Sequence, residues 1–359
     1  MRVLNICLTT MLMLCSSAVA LPQSLHFRIR PMGTPAGGTY ADSRAGINNS
    51  AQVAGNYVVP SDGYHAYRWA HGVFTPLGPG IAYGLNDFGE VVGVSASIPS
   101  VATLWTIGGT TPLGSLSVGG SSQALGINDV ETVVGVDYGL PAERAKAFRW
   151  TRANGMQHLP SLSGTNDAVA WGINNQGQIV GHAATGKQTV HAVIWQDGII
   201  TDLGAFPGDP GAIAYYINAD GQTVGQSIRQ DGTDRAFLWR SGVYTDLGSL
   251  GLPNSAAIQI NTIGDVVGYA FDNNGLYRPW LYSNGTLRDL NDLLSTADKK
   301  HWVLAVAMGI NDKGQITGYG TLNGVNSGFV MTPKTNHNPC SSDDESGQPA
   351  DCPEDGESE

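Results

Sequence analysis

Five residues of this chain occupy the same place in a repeating pattern and carry, or readily gain, positive charge: His65, Lys146, His191, Arg235 and Arg278. Each stands just before a short run of the type Ala-Phe-Leu-Trp. Cations spaced around one face would attract an anionic ligand such as an acidic sugar. The competing reading is that each satisfies a carbonyl or carboxylate of its own unit, and repetition favours it. His182 is less regular, since Val94, Val136 and Gln226 take its place in other copies. It is the candidate general base, with Tyr138 or Tyr277 as candidate acid, for lyase-like chemistry on a polysaccharide. No nucleotide fingerprint, phosphate loop or nucleophile elbow occurs in a supporting context. The spacing of His and Cys does not suggest zinc, so no metal and no cofactor is expected.

The elements that must position these residues recur along the chain. A turn motif, clearest as Gly309-Ile310-Asn311-Asp312-Lys313-Gly314-Gln315, places its Asn at Asn48, Asn86, Asn128, Asn174, Asn218, Asn261 and Asn311. A glycine follows seven residues later in every copy: Gly55, Gly93, Gly135, Gly181, Gly225, Gly268 and Gly318. A period of this length signals a propeller, solenoid or array. One copy reads as four short strands: Ala214 to Asn218, Thr223 to Gly225, Ala236 to Trp239 and Val243 to Gly248. The Asn-Ala-Asp-Gly between the first two suits a type I turn. The third strand is apolar at consecutive positions, as a sheet buried on both faces requires. Small residues such as Ala124 and Gly126 suit an innermost strand crowded toward an axis, and the glycine of the second strand marks a bulge or a close backbone approach. The last copy lacks a fourth strand, and His26 to Arg30 stands where one would precede the first copy. The expectation is an all-β, seven-bladed β-propeller over residues 21–334, its last blade closed by the N-terminal strand.

The ends differ from the repeats. Residues 1–20 have a positive start at Arg2, an apolar run from Leu8 to Leu14 and a small-residue site at Ala18-Val19-Ala20, the pattern of a cleaved secretory signal peptide. Residues 335–359 form an acidic tail, expected to be disordered for want of apolar side chains. Export permits a disulfide between Cys340 and Cys352 there. Eight of the chain's 30 acidic residues lie beyond Cys340. The remaining body is mildly acidic, which argues against nucleic acid and against an anionic membrane surface as partners. No membrane insertion is expected, and the chain reads as a monomer.

Gly-Ile-Asn, then Gly-x-Val-Val-Gly, then a His-Ala-Phe-like strand ending in Trp, then Leu-Gly, resembles the extracellular HAF-repeat family. His191-Ala192-Val193-Ile194-Trp195 and His65-Ala66-Tyr67-Arg68-Trp69 carry the resemblance best, and it covers residues 25–333. It departs from the pattern at Val101, Tyr282 and Met331. The resemblance implies an exported bacterial repeat protein, extracellular or periplasmic, and no established activity or catalytic residue. The expected function is a non-catalytic binding module for an anionic glycan or another exported protein. A polysaccharide-active enzyme using His182 with Tyr138 or Tyr277 is the alternative.

The two ends should respond oppositely to truncation. Removing residues 21–31 should lower the thermal transition by several kcal/mol equivalents, because it strips an edge strand. Truncation after Pro333 should leave the transition in place. Equal transitions for both truncated chains would contradict the assignment.

Overall fold

The computed structural model describes residues 25–334, apart from residues 40, 141–143, 163, 165–166 and 188. The expected signal peptide at residues 1–20 and the acidic tail with Cys340 and Cys352 therefore lie outside the described residues. The described chain is an all-β propeller of antiparallel sheets. In one unit, Gly211–Ile217, Thr223–Ile228, Asp234–Arg240 and Val243–Asp246 pair in sequence order. Burial falls from the first strand to the last: Ala212, Ala214 and Ile217 are buried, whereas Val243, Thr245 and Asp246 are exposed. The first strand is therefore innermost.

The expectation of seven separate four-stranded blades is corrected by the hydrogen bonding. Among the described residues the strands form six sheets, five of four strands and one of six. The large sheet joins the first two repeats through Val73–Leu85, a strand of 13 residues. Its first half pairs with Gly63–Ala70 and its second half with Val91–Ser95. Gly78 and Gly80, at φ of 110° and 146°, let the chain pass Pro79 without leaving extended pairing. The innermost segment of the first repeat keeps only the isolated bridges Ala41↔Tyr57 and Ile47↔Val53. There the Asp42 carboxylate accepts from the Asn56 backbone N–H at 3.1 Å, interrupting a regular ladder. At the other end of the chain, Phe27–Pro31 pairs antiparallel with Val325–Pro333, from Phe27↔Pro333 to Pro31↔Phe329. It is the outer strand of the sheet that also holds Ile316–Leu322 and Trp302–Ile310.

The seven repeated asparagines have one job. In the Asn218 turn, the side-chain oxygen accepts from the backbone of Asp220 and Gln222, at 3.1 and 3.0 Å. The side-chain nitrogen donates to Gln222 Oε1 and to the backbone oxygen of Asn261, the equivalent residue of the next repeat. The same inter-repeat bond runs from Asn48 to Asn86, then to Asn128, Asn174, Asn218, Asn261 and Asn311, and from Asn311 back to Asn48, at 2.9–3.2 Å. All seven residues are buried.

The repeated glycines of the second strand answer to close approach. A Cβ at Gly55, Gly93, Gly135, Gly181, Gly225, Gly268 or Gly318 would stand 1.9–2.1 Å from a carbonyl oxygen of the first strand. The bulge falls on that first strand, as between Ala170 and Gly172 or Ala214 and Tyr216. Inner strands also touch one another through glycine: a Cβ on Gly126 would meet the Gly172 Cα at 3.3 Å, and one on Gly309 the Gly46 Cα at 2.8 Å.

Asn174→Ala should cost about 2–3 kcal/mol, since it leaves buried backbone groups without partners. Asn174→Asp should also destabilise, because a carboxylate cannot donate to the Asn218 oxygen. Chemical denaturation measures both. A loss under about 0.5 kcal/mol for each would remove the asparagine ring from its structural role.

Candidate functional site: a cavity on the propeller axis

The first strands run toward the asparagine ring, and the residues they turn inward differ from copy to copy. Two places before the motif's Ile or Leu the column would hold small or aliphatic residues, as at Leu125, Ile258 and Met308. In three copies the position three places before the asparagine is aromatic: Tyr83, Trp171 and Tyr215. The residue after the second-strand glycine varies too, and is Tyr269 and Tyr319 in two neighbouring copies. Four places before the asparagine, six copies have Ala and the first has Arg44.

These departures converge. Arg44, Tyr83, Trp171, Tyr215, Tyr269 and Tyr319 line one cavity of about 500 Å³ on the axis. Leu125, Ile258, Val306 and Met308 complete its apolar wall. Below it, Leu85, Ile127, Ile173, Tyr216 and Gln259 border both this cavity and a smaller one of about 150 Å³ at the asparagine ring. Burial raises the Tyr83, Tyr215, Tyr269 and Tyr319 phenols above their ordinary range. They are protonated at neutral pH and serve as hydrogen-bond donors and acceptors. The Trp171 indole meets Tyr215 edge-on at 5.5 Å, and its N–H donates to His182 Nδ1 at 3.1 Å.

That bond defines the state of His182. Its Nδ1 lone pair accepts from Trp171, so the neutral ring carries its proton on Nε2. Burial pushes its pKa down to about 4. A base that weak, with its lone pair already engaged, is a poor proton acceptor; His182 instead holds Trp171. Tyr138 and Tyr277 are both exposed and stand outside the cavity lining. Tyr277 stacks on Phe271 at 5.9 Å and tilts against Tyr269 at 6.0 Å. The three residues named from sequence as possible acid and base are thus neighbours of the cavity wall, with no proton path among them in the hydrogen bonds described.

The five repeated cations are not brought together, and none lines the cavity. His65 Nε2 lies 2.8 Å from Asp62, and His191 Nδ1 lies 2.9 Å from both oxygens of Asp202. Arg278 Nε lies 3.0 Å from Asp289. Arg235 stands between Asp209 and Asp246, at 3.4 and 3.3 Å, with its guanidinium 4.1 Å above the Phe206 ring. Lys146 lies opposite Asp137 in the strand pairing. Asp202, Asp246 and Asp289 come from fourth strands, so the column points outward from the axis. Among the described residues, no group of three or more His, Cys, Asp or Glu is arranged to hold a metal ion. No described helix is long and apolar enough to cross a membrane.

No family profile and no curated protein matches the sequence. Solved structures align with much of the chain at low identity. The β-propeller domain of the trilobed protease from Pyrococcus furiosus aligns over 84% of this chain and 99% of that one, at 12% identity and a TM-score of 0.49. TolB from Acinetobacter baumannii aligns over 79% of this chain, at 10% identity and a TM-score of 0.44, and the chain spans 63% of its length. The SapL1 lectin, solved with α-methyl fucoside, aligns over 70% of this chain and 96% of that one, at 14% identity and a TM-score of 0.42.

The His182 environment sets a pH dependence. Unfolded, the imidazole titrates near 6.5; folded, near 4. Between these values only the unfolded chain binds the proton, so the stability from this residue is complete above about pH 6.5 and falls as pH drops toward 4, by up to about 3 kcal/mol. His182→Gln, which still accepts from Trp171, should therefore lose less melting temperature than wild type between pH 7 and pH 4. Parallel losses would show that His182 does not titrate in this way.

Proposed function

We propose that this protein is an exported, non-catalytic binding module of the HAF-repeat type, a propeller of seven repeat units closed by its N-terminal strand, whose ligand enters the axial cavity. The observation that carries the proposal is the cavity lining. On a scaffold of near-identical repeats, Arg44, Tyr83, Trp171, Tyr215, Tyr269 and Tyr319 break the pattern at positions that meet in one space. Its volume falls within the roughly 300–1,000 Å³ usual for small-ligand sites, and aromatic walls with a few polar groups are what such sites require. An anionic glycan suits this shape better than a protein surface, because a cavity admits a small group and excludes a broad face. The module acts outside the cytoplasm, extracellular or periplasmic, delivered by the N-terminal signal.

The alternative is a polysaccharide-active enzyme that uses His182 with Tyr138 or Tyr277. Two features favour binding over it. The His182 lone pair is already engaged by the Trp171 N–H, which makes it a poor base, and Tyr138 and Tyr277 stand outside the cavity lining. The lining residues include no carboxylate and no imidazole.

A glycan array probed with wild type and with Trp171→Ala, followed by mass spectrometry of the bound sugars, tests the proposal. Wild type should bind a subset of sugars and leave them unchanged, and Trp171→Ala should weaken those hits at least tenfold, the contribution of about 1.4 kcal/mol expected from an aromatic platform. Cleaved products would establish the enzyme reading instead. Undiminished hits with Trp171→Ala would move the site off the axis.

A further inference from the structure

We propose that the axial cavity receives the end of a sugar chain whose terminal residue carries a carboxylate, with Arg44 as the carboxylate contact and Trp171 as the platform beneath the ring. The inference rests on the reading of this cavity as the ligand site.

Arg44 supplies the charge. It is the one charged residue of the lining and stands where the six other repeats have Ala. Its side chain is 52% exposed. Its acidic neighbour, Asp42, lies 3.9 Å from Nε, beyond hydrogen-bond reach. The oxygen facing Nε is Asp42 Oδ2, while Oδ1 accepts from the backbone N–H of Arg44, the backbone N–H of Asn56 and the Asn56 amide. Among the described residues, then, no acceptor takes the two terminal nitrogens of the guanidinium. A planar fork of this kind matches a carboxylate in two parallel hydrogen bonds.

The rest of the wall matches a hydroxylated ring. The Tyr83, Tyr215, Tyr269 and Tyr319 hydroxyls line the cavity, and none makes a hydrogen bond to a described residue. Four phenols able both to donate and to accept face a ligand rich in hydroxyls more naturally than a hydrocarbon, which would leave them unpaired. The Trp171 indole is fixed by His182 and by the Tyr215 edge, so it offers a rigid apolar face to the C–H side of a pyranose.

Access is from one end. In five repeats the residue before the motif's Ile or Leu is glycine, namely Gly46, Gly84, Gly126, Gly172 and Gly309; in the other two it is Tyr216 and Gln259. Both side chains border the upper and the lower cavity, so they stand across the axis between them. Gln259 Oε1 accepts from the Ile310 backbone at 3.0 Å, which fixes the barrier. A polymer cannot thread a channel floored in this way. It can insert an end.

Calorimetric titration of the mature chain with digalacturonate, with galactobiose as the neutral counterpart, and with polygalacturonate of known chain length tests the proposal. Wild type should bind digalacturonate at least tenfold more tightly than galactobiose. Arg44→Ala should abolish that preference and Arg44→Lys should retain part of it, with melting curves confirming that both variants fold. Polygalacturonate should saturate in proportion to its chain ends. Equal affinity for the acidic and neutral disaccharides, binding of neither, or polymer saturation in proportion to total sugar would overturn the ligand class. Digalacturonate binding that keeps its full acid preference in both Arg44→Ala and Trp171→Ala would instead overturn the cavity as the site.

Discussion

The asparagine ring is the interaction on which the remaining architecture depends. Each side-chain amide does two things at once. Its oxygen closes its own turn, and its nitrogen reaches the backbone oxygen of the next repeat. Only an amide offers both an acceptor and a two-hydrogen donor on so short a side chain. Aspartate lacks the donor, and glutamine is a methylene too long for the same turn geometry. Because the chain of bonds returns from Asn311 to Asn48, the position of each repeat is constrained from both sides.

That ring brings the inner strands close together, and the glycine columns follow from it. Where Gly84, Gly126 and Gly172 pass the neighbouring strand, a side chain would meet backbone at about 3 Å. Tyr216 and Gln259 break this column in adjacent repeats, and Gln259 Oε1 lies against the tight glycine contact between Gly46 and Gly309. The two side chains that replace glycine reach into the space between the two cavities and form the barrier there.

The scaffold was legible in the sequence because its causes are local and repeated. An Asn-x-x-Gly turn declares itself by type and spacing, and so does a glycine seven residues later. The joining of two repeats into a six-stranded sheet was not legible, because it depends on Gly78 and Gly80 adopting angles that keep the strand paired through Pro79. The cations were found by their regularity, and that regularity is what ties His191, Arg235 and Arg278 to carboxylates of their own units. Arg44 in a column of alanines, and Tyr83, Trp171 and Tyr215 near the ends of first strands, were visible departures. Their convergence was not, because it requires knowing which way a bulged strand turns its side chains.

The bulge resolves how one chain can be so uniform and yet hold an asymmetric site. Every inter-repeat bond of the ring ends on a backbone oxygen, so it places no demand on the side chains a few residues upstream. The bulge in the first strand, seen at Ala170/Gly172 and Ala214/Tyr216, separates the buried alanine column from the residues that follow it. Positions beyond the bulge can then vary in size and polarity without disturbing the packing between sheets. Tyr83, Trp171 and Tyr215 stand at such bulges, whereas Arg44 takes an alanine's place in the column and Tyr269 and Tyr319 follow the second-strand glycine. Protonated phenols and an indole held by a neutral imidazole thus share one cavity wall with the Arg44 guanidinium.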